Sequence, residues 1–299
     1  MKRPLFCGSA AAVTTPFFAD GTVDFETLGQ QIEFLLAGGT DGIVSCGTTG
    51  ESAALSEKER LSVIEYTVWR VGGRVPVIAG TGTNCTAQSV SLTRSAAALG
   101  ADGVLAVCPY YNKPTGEGLY RHFSALADCS SLPVILYTVP SRTGVALPVE
   151  VAKKLSEHPN VAGLKDASGI LAYGAQIRHA CGDDLPLYAG DDATVLPILS
   201  LGGVGVISVV ANILPRIVHT LCERWFSGDR EGALELQLRL QPLISALFTE
   251  TNPIPVKYAL ERLGFASQNL RLPLCPLSER GRSAVDGALS PWIGGYDEI

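Results

Sequence analysis

The sequence lacks the features that define several classes of protein. Its apolar stretches are strand-sized and broken by glycine or charge, so no membrane span is expected. The formal net charge is −6 and there is no basic run, which argues against a nucleic-acid partner. The amino terminus shows neither the apolar region nor the small-residue cleavage site of a signal peptide, and we therefore expect a cytoplasmic protein.

Cysteine and histidine are present, but without the spacing of a structural or metal site. The eight cysteines lie singly, with no CxxC pair, and reduced thiols are expected. The four histidines show no HExxH or related spacing, so no metal site is predicted. Glycine-rich phosphate loops of the GxxxxGK[ST] or GxGxxG type are also missing from strand–helix contexts, which argues against a nucleotide cofactor.

What the chain does contain is a regular alternation of short apolar runs and segments of helical period. The runs are continuously apolar, which predicts parallel strands buried on both faces. Eight such units close most naturally into a (β/α)₈ barrel, whereas an open doubly wound sheet would normally show a glycine-rich loop after its first strand. The predicted strands are Ala10–Pro16, Gly42–Cys46, Val75–Ala79, Gly103–Cys108, Val134–Val139, Val161–Lys165, Leu187–Ala189 and Gly205–Val209.

Helical periodicity predicts the connecting helices and a helical carboxyl-terminal part. Ser56 and Glu59 form the pattern of a capping box, which marks a helix start. Strand signals stop near Gly228, so we predict a barrel domain over 1–227 and a small helical domain over 228–299. The predicted helices are Asp24–Ala37, Glu57–Val71, Ala87–Leu99, Glu117–Ala127, Leu214–Phe226, Arg230–Phe248, Pro255–Leu263 and Ser278–Leu289.

Lys165 is the residue that points most directly to chemistry. It ends an apolar run, where a barrel places its active site. Burial lowers the pKa of a lysine and provides a neutral amine that can attack a ketone to form a Schiff base. The alternative is an ordinary lysine whose tip reaches solvent or pairs with Asp166.

Polar residues at other strand ends would surround this lysine. The phenol of Tyr137 can exchange protons, or it can be a half-buried aromatic with its hydroxyl at the surface. Thr48 and Thr49, between glycines, can face a carboxylate or form a plain turn. Arg142 is either a bidentate carboxylate clamp or a solvated loop residue. These residues alone indicate a barrel enzyme that handles a small oxo-acid.

Taken together, the motifs resemble the dihydrodipicolinate synthase family of pyruvate-dependent lyases, which is related to N-acetylneuraminate lyase. The resemblance covers nearly the whole chain. It rests on six motifs in register, each of which is weak alone. They are Gly47-Thr-Thr-Gly-Glu51, Pro109-Tyr-Tyr-Asn112, Tyr137-x-Val-Pro-Ser-Arg-Thr-Gly144, Gly163-Leu-Lys-Asp166, Gly190-Asp-Asp192 and Asn252-Pro-Ile-Pro-Val-Lys257, with Leu270-Arg-Leu-Pro273 in the tail.

The resemblance implies a class I, Schiff-base mechanism. Lys165 would condense with pyruvate, and the resulting enamine would attack L-aspartate 4-semialdehyde in lysine and diaminopimelate biosynthesis. Tyr137 would shuttle protons, linked to Thr48 and to a Tyr111 donated by a neighbouring subunit. No metal or organic cofactor is implied, because the imine itself is the electron sink. The shared tyrosine implies at least a dimer, and the family suggests a homotetramer built as a dimer of dimers.

Substrate-binding roles follow from the same resemblance. Thr49, with backbone groups near Gly190 and Ile207, would hold the pyruvate carboxylate. Arg142 would hold the carboxylate of the semialdehyde, and its Ser-Arg-Thr-Gly loop favours the synthase over related aldolases. Thr138 stands where asparagine is common in the family, a departure expected to be mild.

The lysine effector site of inhibited family members is only partly matched. Glu57 and Arg60 stand where histidine or an aromatic residue is usual, and Gln88 replaces an acidic residue that would face the effector's ammonium. Losing that contact should weaken lysine binding by about 1–3 kcal/mol, so we expect weak or absent inhibition. The matched positions are Ser52, Ala53, Asn84 and Tyr110.

Two alternatives to the synthase stay open from the sequence. A related aldolase would act on a 2-oxo-3-deoxy sugar acid or a hydroxy-oxo acid. A catalytically silent barrel would bind a small acid as a sensor, although the set of Lys165, Tyr137 and Thr48 argues against it.

Overall fold

Eight parallel strands close into a barrel in chain order, as expected from the sequence. A computed structural model of the chain describes residues 2–266 and 268–293. The strands are β1 Gly8–Ala12, β2 Gly42–Ser45, β3 Val77–Gly80, β4 Gly103–Val107, β5 Val134–Thr138, β6 Val161–Asp166, β7 Leu187–Ala189 and β8 Gly205–Ser208. Pairing of β1 with β8, in which Ala10 lies opposite Ile207, completes the closure. The predicted fold class is therefore confirmed.

Helices cover the outside of the barrel and continue beyond it. Ser56 caps α2, and the Glu59 carboxylate accepts a hydrogen bond from the Ser56 amide at 2.9 Å, which confirms the predicted capping box. The helices are α1 Phe25–Ala37, α2 Glu57–Val71, α3 Thr86–Ala98, α4 Gly116–Asp128, α5 Pro140–Thr143, α6 Val149–Ser156, α7 Leu171–Cys181, α8 Val195–Ser200, α9 Pro215–Ser227, α10 Arg230–Leu247, α11 Ile254–Arg262 and α12 Glu279–Leu289.

The core has two parts, which follow from strands that are apolar on both faces. One buried cluster fills the barrel interior and includes Val44, Ile78, Ile135 and Tyr188. A larger cluster lies between the strands and the helices. Because side chains alternate along each strand, successive residues serve the two clusters in turn.

The carboxyl-terminal helices pack on the barrel through the same outer cluster. Leu236 of α10, Val256 of α11 and Val285 of α12 all belong to it. Trp292 is buried, and the guanidinium of Arg239 lies 5.2 Å from its ring centroid. The domain boundary at 227/228 stays a prediction. The end of the tail, 294–299, lies outside the described residues.

The first strand differs from its predicted bounds. It was expected over Ala10–Pro16 but runs over Gly8–Ala12. Thr14 and Thr15 lie beyond it, and their hydroxyls bond to Gln31 Oε1 at 2.9 Å and to the Gly50 carbonyl at 2.7 Å. Side-chain bonds of this kind compete with strand pairing, and the apolar character of the segment does not reveal them.

Candidate active site

Strands β5 and β6 place Tyr137 and Lys165 side by side at the carboxyl end of the barrel. The two residues are register partners. Lys165 Nζ lies 4.4 Å from the centroid of the Tyr137 ring. Their exposed fractions are 6% and 5%, so both side chains are shielded from bulk solvent. The structure thus excludes the reading in which Lys165 is a solvated strand-end lysine.

Burial gives Lys165 a reactive amine. It lowers the pKa of Lys165 to about 8; the positive charge of Arg142 acts in the same direction, and the negative charge of Asp192 opposes it. At a pKa of about 8, roughly a tenth of the side chains are neutral at pH 7, compared with fewer than about one in a thousand at the ordinary value. A buried lysine in this state can act as a nucleophile.

Tyr137 is linked to Thr48, which follows β2. Burial raises the pKa of Tyr137, while the hydrogen bond to the Thr48 side chain and the charge of Arg142 lower it. Because burial dominates, the phenol keeps its proton at neutral pH and can donate it. Tyr137 and Thr48 are therefore brought together as predicted, and the Tyr137 phenol can act as a proton donor next to Lys165.

Asp192, which follows β7, is close enough to Lys165 for their charges to interact, and its carboxylate accepts three hydrogen bonds. It accepts hydrogen bonds from Ser208 Oγ at 2.5 Å and from the amides of Val209 and Val210 at 2.9 and 3.1 Å. Burial nevertheless raises the pKa of Asp192. Its Gly190-Asp-Asp192 motif belongs to the family pattern, but the sequence alone does not indicate a role for it. Its charge limits how far the pKa of Lys165 falls.

Thr49 and Arg142 are joined through a residue of the carboxyl-terminal part that sequence reasoning missed. Asn252 Nδ2 donates to Thr49 Oγ1 at 3.0 Å. The carbonyl of the same residue accepts a bond from Arg142 Nη2 at 2.9 Å. The only sequence signal was the matched Asn252-Pro-Ile-Pro motif, which did not indicate a place in the site.

Gly190 and Ile207 lie where the barrel interior meets the site. The Gly190 amide donates to the Asp166 carbonyl at 2.7 Å and is therefore not free to bind a carboxylate. A Cβ on Gly190 would stand 2.8 Å from the Cβ of Ala167, so close approach of the chain requires glycine here. Ile207 is buried in the interior cluster.

Tyr111 is not part of the site within one chain. Its side chain is 89% exposed and its φ is +70°, an unusual value for a non-glycine residue. In the part of the chain that the structure describes, its phenol has no hydrogen-bond partner. A large aromatic held outward in this way is available to a second subunit.

A cavity of about 310 Å³ opens at the candidate site. Its lining includes Thr48, Arg142 and Asn252, together with Arg60 and Tyr110. A smaller cavity of about 30 Å³ is shared by Thr48, Tyr137 and Arg60. The candidate catalytic residues and the predicted effector residues are therefore close neighbours.

Arg60 is the most altered feature of the predicted effector site. It is 7% exposed. Its Nε donates to the Gly80 carbonyl at 2.9 Å and its Nη2 to the Gly82 carbonyl at 3.3 Å. Glu57 and Gln88 are exposed, whereas Ser52, Ala53 and Tyr110 line the larger cavity. The Asn84 carbonyl accepts a hydrogen bond from Asn112 Nδ2 at 2.8 Å.

Two further observations concern cofactors and membranes. Among residues 2–266 and 268–293, no three His, Cys, Asp or Glu side chains are grouped closely enough to hold a metal ion. Within the same ranges, no helix has both the length and the apolar character needed to cross a bilayer.

Comparison with known proteins gives one consistent family. The model of the dihydrodipicolinate synthetase family matches residues 5–291. The 4-hydroxy-tetrahydrodipicolinate synthase of Pelobacter propionicus is 47% identical over 281 residues, which cover 94% of this chain and 97% of the relative. The crystal structure of dihydrodipicolinate synthase from Aquifex aeolicus superimposes with a TM-score of 0.94 at 44% identity, covering 96% of this chain and 98% of that one. The chloride-inhibited enzyme from Acinetobacter baumannii, crystallised with pyruvate, gives a TM-score of 0.93 at 43% identity and coverage of 95% and 98%.

Proposed function

The chain belongs to the dihydrodipicolinate synthetase family and is a lyase of the 4-hydroxy-tetrahydrodipicolinate synthase type, and from its site we propose that Lys165 forms a Schiff base with pyruvate. The enamine derived from that imine attacks L-aspartate 4-semialdehyde. The observation that carries the proposal is the buried Lys165 amine, with a pKa of about 8, 4.4 Å from the Tyr137 ring.

The first step needs a neutral amine and a proton donor. Lys165 Nζ bonds to the keto carbon of pyruvate, and the keto oxygen leaves as water after it has gained protons. The amine supplies one of these protons, and Tyr137, which keeps its proton at neutral pH and is hydrogen-bonded to Thr48, supplies the other. Transfer of a proton from the pyruvate methyl group to the Tyr137 phenolate then gives the enamine and restores the phenol, with the imine nitrogen as electron sink.

The second step forms the carbon–carbon bond. The enamine carbon attacks the aldehyde carbon of the semialdehyde, whose oxygen takes up a proton. The amino group of the semialdehyde can then attack the imine carbon and displace Lys165, which returns the lysine to its starting state. This sequence balances without a metal or an organic cofactor, and on these chemical grounds we propose that none is needed.

Two side chains are suited to hold the substrate carboxylates. Thr49 follows Thr48 in the loop after β2 and has a buried hydroxyl, and we assign it to the pyruvate carboxylate. Arg142 lines the 310 Å³ cavity and donates one hydrogen bond from Nη2 to the Asn252 carbonyl. Its other N–H groups remain for the semialdehyde carboxylate. This arginine supports the synthase activity over that of the sibling aldolases.

We also propose that lysine inhibits the enzyme weakly or not at all. The guanidinium of Arg60 is tied to the Gly80 and Gly82 carbonyls, so the effector cleft already contains a buried cation. A lysine ligand would bring two ammonium groups next to it, and neutral Gln88 offers no charge to offset this. Half-maximal inhibition at sub-millimolar lysine would contradict the proposal.

Oligomeric state and location complete the proposal. The outward Tyr111 supports a site completed by a second subunit, and we propose a homotetramer arranged as a dimer of dimers, located in the cytoplasm.

The activity is tested by comparing two assays on the same preparation. One measures product formation from pyruvate and L-aspartate 4-semialdehyde. The other measures pyruvate release from 2-oxo-3-deoxy sugar acids. We expect turnover in the first and at most a trace in the second. Faster cleavage of the sugar acids would identify a sibling aldolase. Failure of both assays would favour the hypothesis of a catalytically silent barrel that binds a small acid as a sensor.

A further inference from the structure

Asn252 occupies a position that the described roles do not explain. It precedes α11 in the carboxyl-terminal part and is 5% exposed. It bonds through its side chain to Thr49 Oγ1 at 3.0 Å and through its main chain to Arg142 Nη2 at 2.9 Å. One residue from outside the barrel therefore touches both side chains assigned to substrate carboxylates.

The direction of the side-chain bond has a chemical consequence. The amide Nδ2 is a donor, so Thr49 Oγ1 accepts this bond with a lone pair. The hydroxyl hydrogen of Thr49 is then left to point elsewhere. A carboxylate can only accept hydrogen bonds, so a threonine that binds one must direct its hydrogen toward it. Asn252 prepares this orientation before pyruvate arrives.

The carbonyl oxygen of the Asn252 side chain shows that this arrangement is partly unfavourable in free energy. Within the described residues, the buried Oδ1 of Asn252 has no hydrogen-bond partner. A buried acceptor without a partner is destabilising, and such atoms are rare in folded proteins. The side chain is therefore held by the bond from its donor to Thr49, while its acceptor makes no bond.

We propose that Asn252 is a positioning residue that fixes the Thr49 hydroxyl as a donor to the pyruvate carboxylate. The inference rests on the proposed function, because it assumes that pyruvate binds at Thr49. It concerns pyruvate rather than the semialdehyde, since the bond to Arg142 comes from a main-chain carbonyl that every substitution retains.

The test measures the pyruvate concentration that half-saturates borohydride trapping, with no semialdehyde present. Asn252→Ala removes the donor and should raise this concentration about 3–10-fold. Asn252→Asp keeps the size but offers only acceptors, so it should capture the Thr49 hydrogen and raise the concentration further. In steady-state assays, KM for the semialdehyde should change less than KM for pyruvate in both variants.

A double-mutant cycle separates positioning from a general loss of structure. In a Thr49→Val background no hydroxyl remains to be oriented, so adding Asn252→Ala should have little further effect on pyruvate saturation. Asn160→Ala is the matched control: its Nδ2 bonds to the Ala127 and Ser130 carbonyls at 2.9 and 3.0 Å, at the start of β6, and its loss should leave the saturation unchanged.

The possible outcomes are distinct. If the unsubstituted protein is not trapped with pyruvate, the proposed function fails. If it is trapped, and Asn252→Asp saturates at the same pyruvate concentration as the unsubstituted protein, only the role of Asn252 is overturned. The near-isosteric aspartate variant decides the matter if the alanine variant does not fold.

Discussion

At the scale of single residues, the low-dielectric surroundings of Lys165 account for its lowered pKa. Transfer of an ammonium group out of water disfavours its charged form, and Asp192 offsets this only in part. The same burial disfavours the phenolate of Tyr137. One environment therefore increases the neutral fraction of the amine and keeps the neighbouring phenol protonated, which is the combination that imine formation requires.

The first prediction concerns the pH dependence of trapping. Because only the neutral amine attacks pyruvate, the rate of borohydride trapping should rise about tenfold per pH unit below pH 8 and level off above it. A rate that continues to rise toward pH 10 would show that Lys165 has an ordinary pKa.

The same pKa also predicts a change in stability. The folded-state pKa lies below the unfolded value near 10.4, so between about pH 8 and pH 10.4 the unfolded chain binds more protons than the folded one. The contribution of Lys165 to stability should therefore rise with pH in this window. Lys165→Met should reduce that slope in urea titrations made at several pH values. An unchanged slope would contradict the prediction.

The second prediction tests the proton shuttle. Tyr137→Phe removes the phenolic proton while keeping the ring that packs near Lys165. We expect kcat to fall about 10²-fold or more, the range that a general acid–base group contributes. Lys165 should still be trapped with pyruvate, but more slowly. Wild-type turnover in this variant would remove Tyr137 from the mechanism.

At the scale of elements, the parts that sequence predicts well are those determined by local pattern. The eight apolar runs became eight strands, and the Ser56–Glu59 capping box formed as expected. The four helices α5–α8 were not predicted individually, since the segments are short or interrupted. Placing Lys165 required only its position at the end of the sixth run.

Long-range side-chain contacts could not be predicted from the sequence. Thr49 and Asn252 are separated by 203 residues, so no local period relates them. The burial of the Arg60 side chain could not be predicted for a similar reason, because it bonds to carbonyls of a neighbouring strand and loop. A motif shows that a residue belongs to a pattern, whereas its partners depend on how distant elements pack.

Another element-scale contact joins α11 to the loop after β2. Lys257 Nζ lies 2.6 Å from Glu51 Oε1, and both side chains are almost completely buried, with exposures of 0% and 1%. Lys257 also donates to the Thr15 and Asn269 carbonyls at 2.9 and 2.6 Å. Burial lowers the pKa of Lys257, and the charge of Glu51 opposes this. The pair thus fixes the helical part against the loop that carries Thr48 and Thr49.

The third prediction follows from this pair. Lys257→Ala leaves a buried carboxylate without its partner and should reduce the free energy of unfolding by about 3–5 kcal/mol. The double variant Lys257→Met, Glu51→Gln should lose less, since no charge is stranded. Urea titrations compare the two. Equal losses would show that packing rather than charge holds the contact.

At the scale of the whole molecule, the exposure of Tyr111 underlies the proposed assembly. Its side chain is 89% exposed, so it is accessible to a second subunit, whose site we propose that it completes. A closed dimer with two-fold symmetry would let each subunit lend this residue to the other.

The fourth prediction tests this exchange by complementation. Lys165→Ala and Tyr111→Ala should each have very low activity alone. When the two are co-expressed, random pairing gives mixed dimers that hold one complete site, and activity should recover to about a quarter of the unsubstituted level. No recovery, in mixed dimers verified by tagged purification, would place Tyr111 in the site of its own chain, and normal activity of Tyr111→Ala alone would place it outside catalysis.

The most direct test of the central claim is reductive trapping of the enzyme–pyruvate imine, located by peptide mass spectrometry. With pyruvate and borohydride, we predict a mass increase corresponding to one reduced pyruvate adduct per chain, on the peptide that contains Lys165. Lys165→Ala should show none. An unmodified Lys165 under these conditions, or an adduct on another lysine, would contradict the Schiff-base mechanism proposed for this chain.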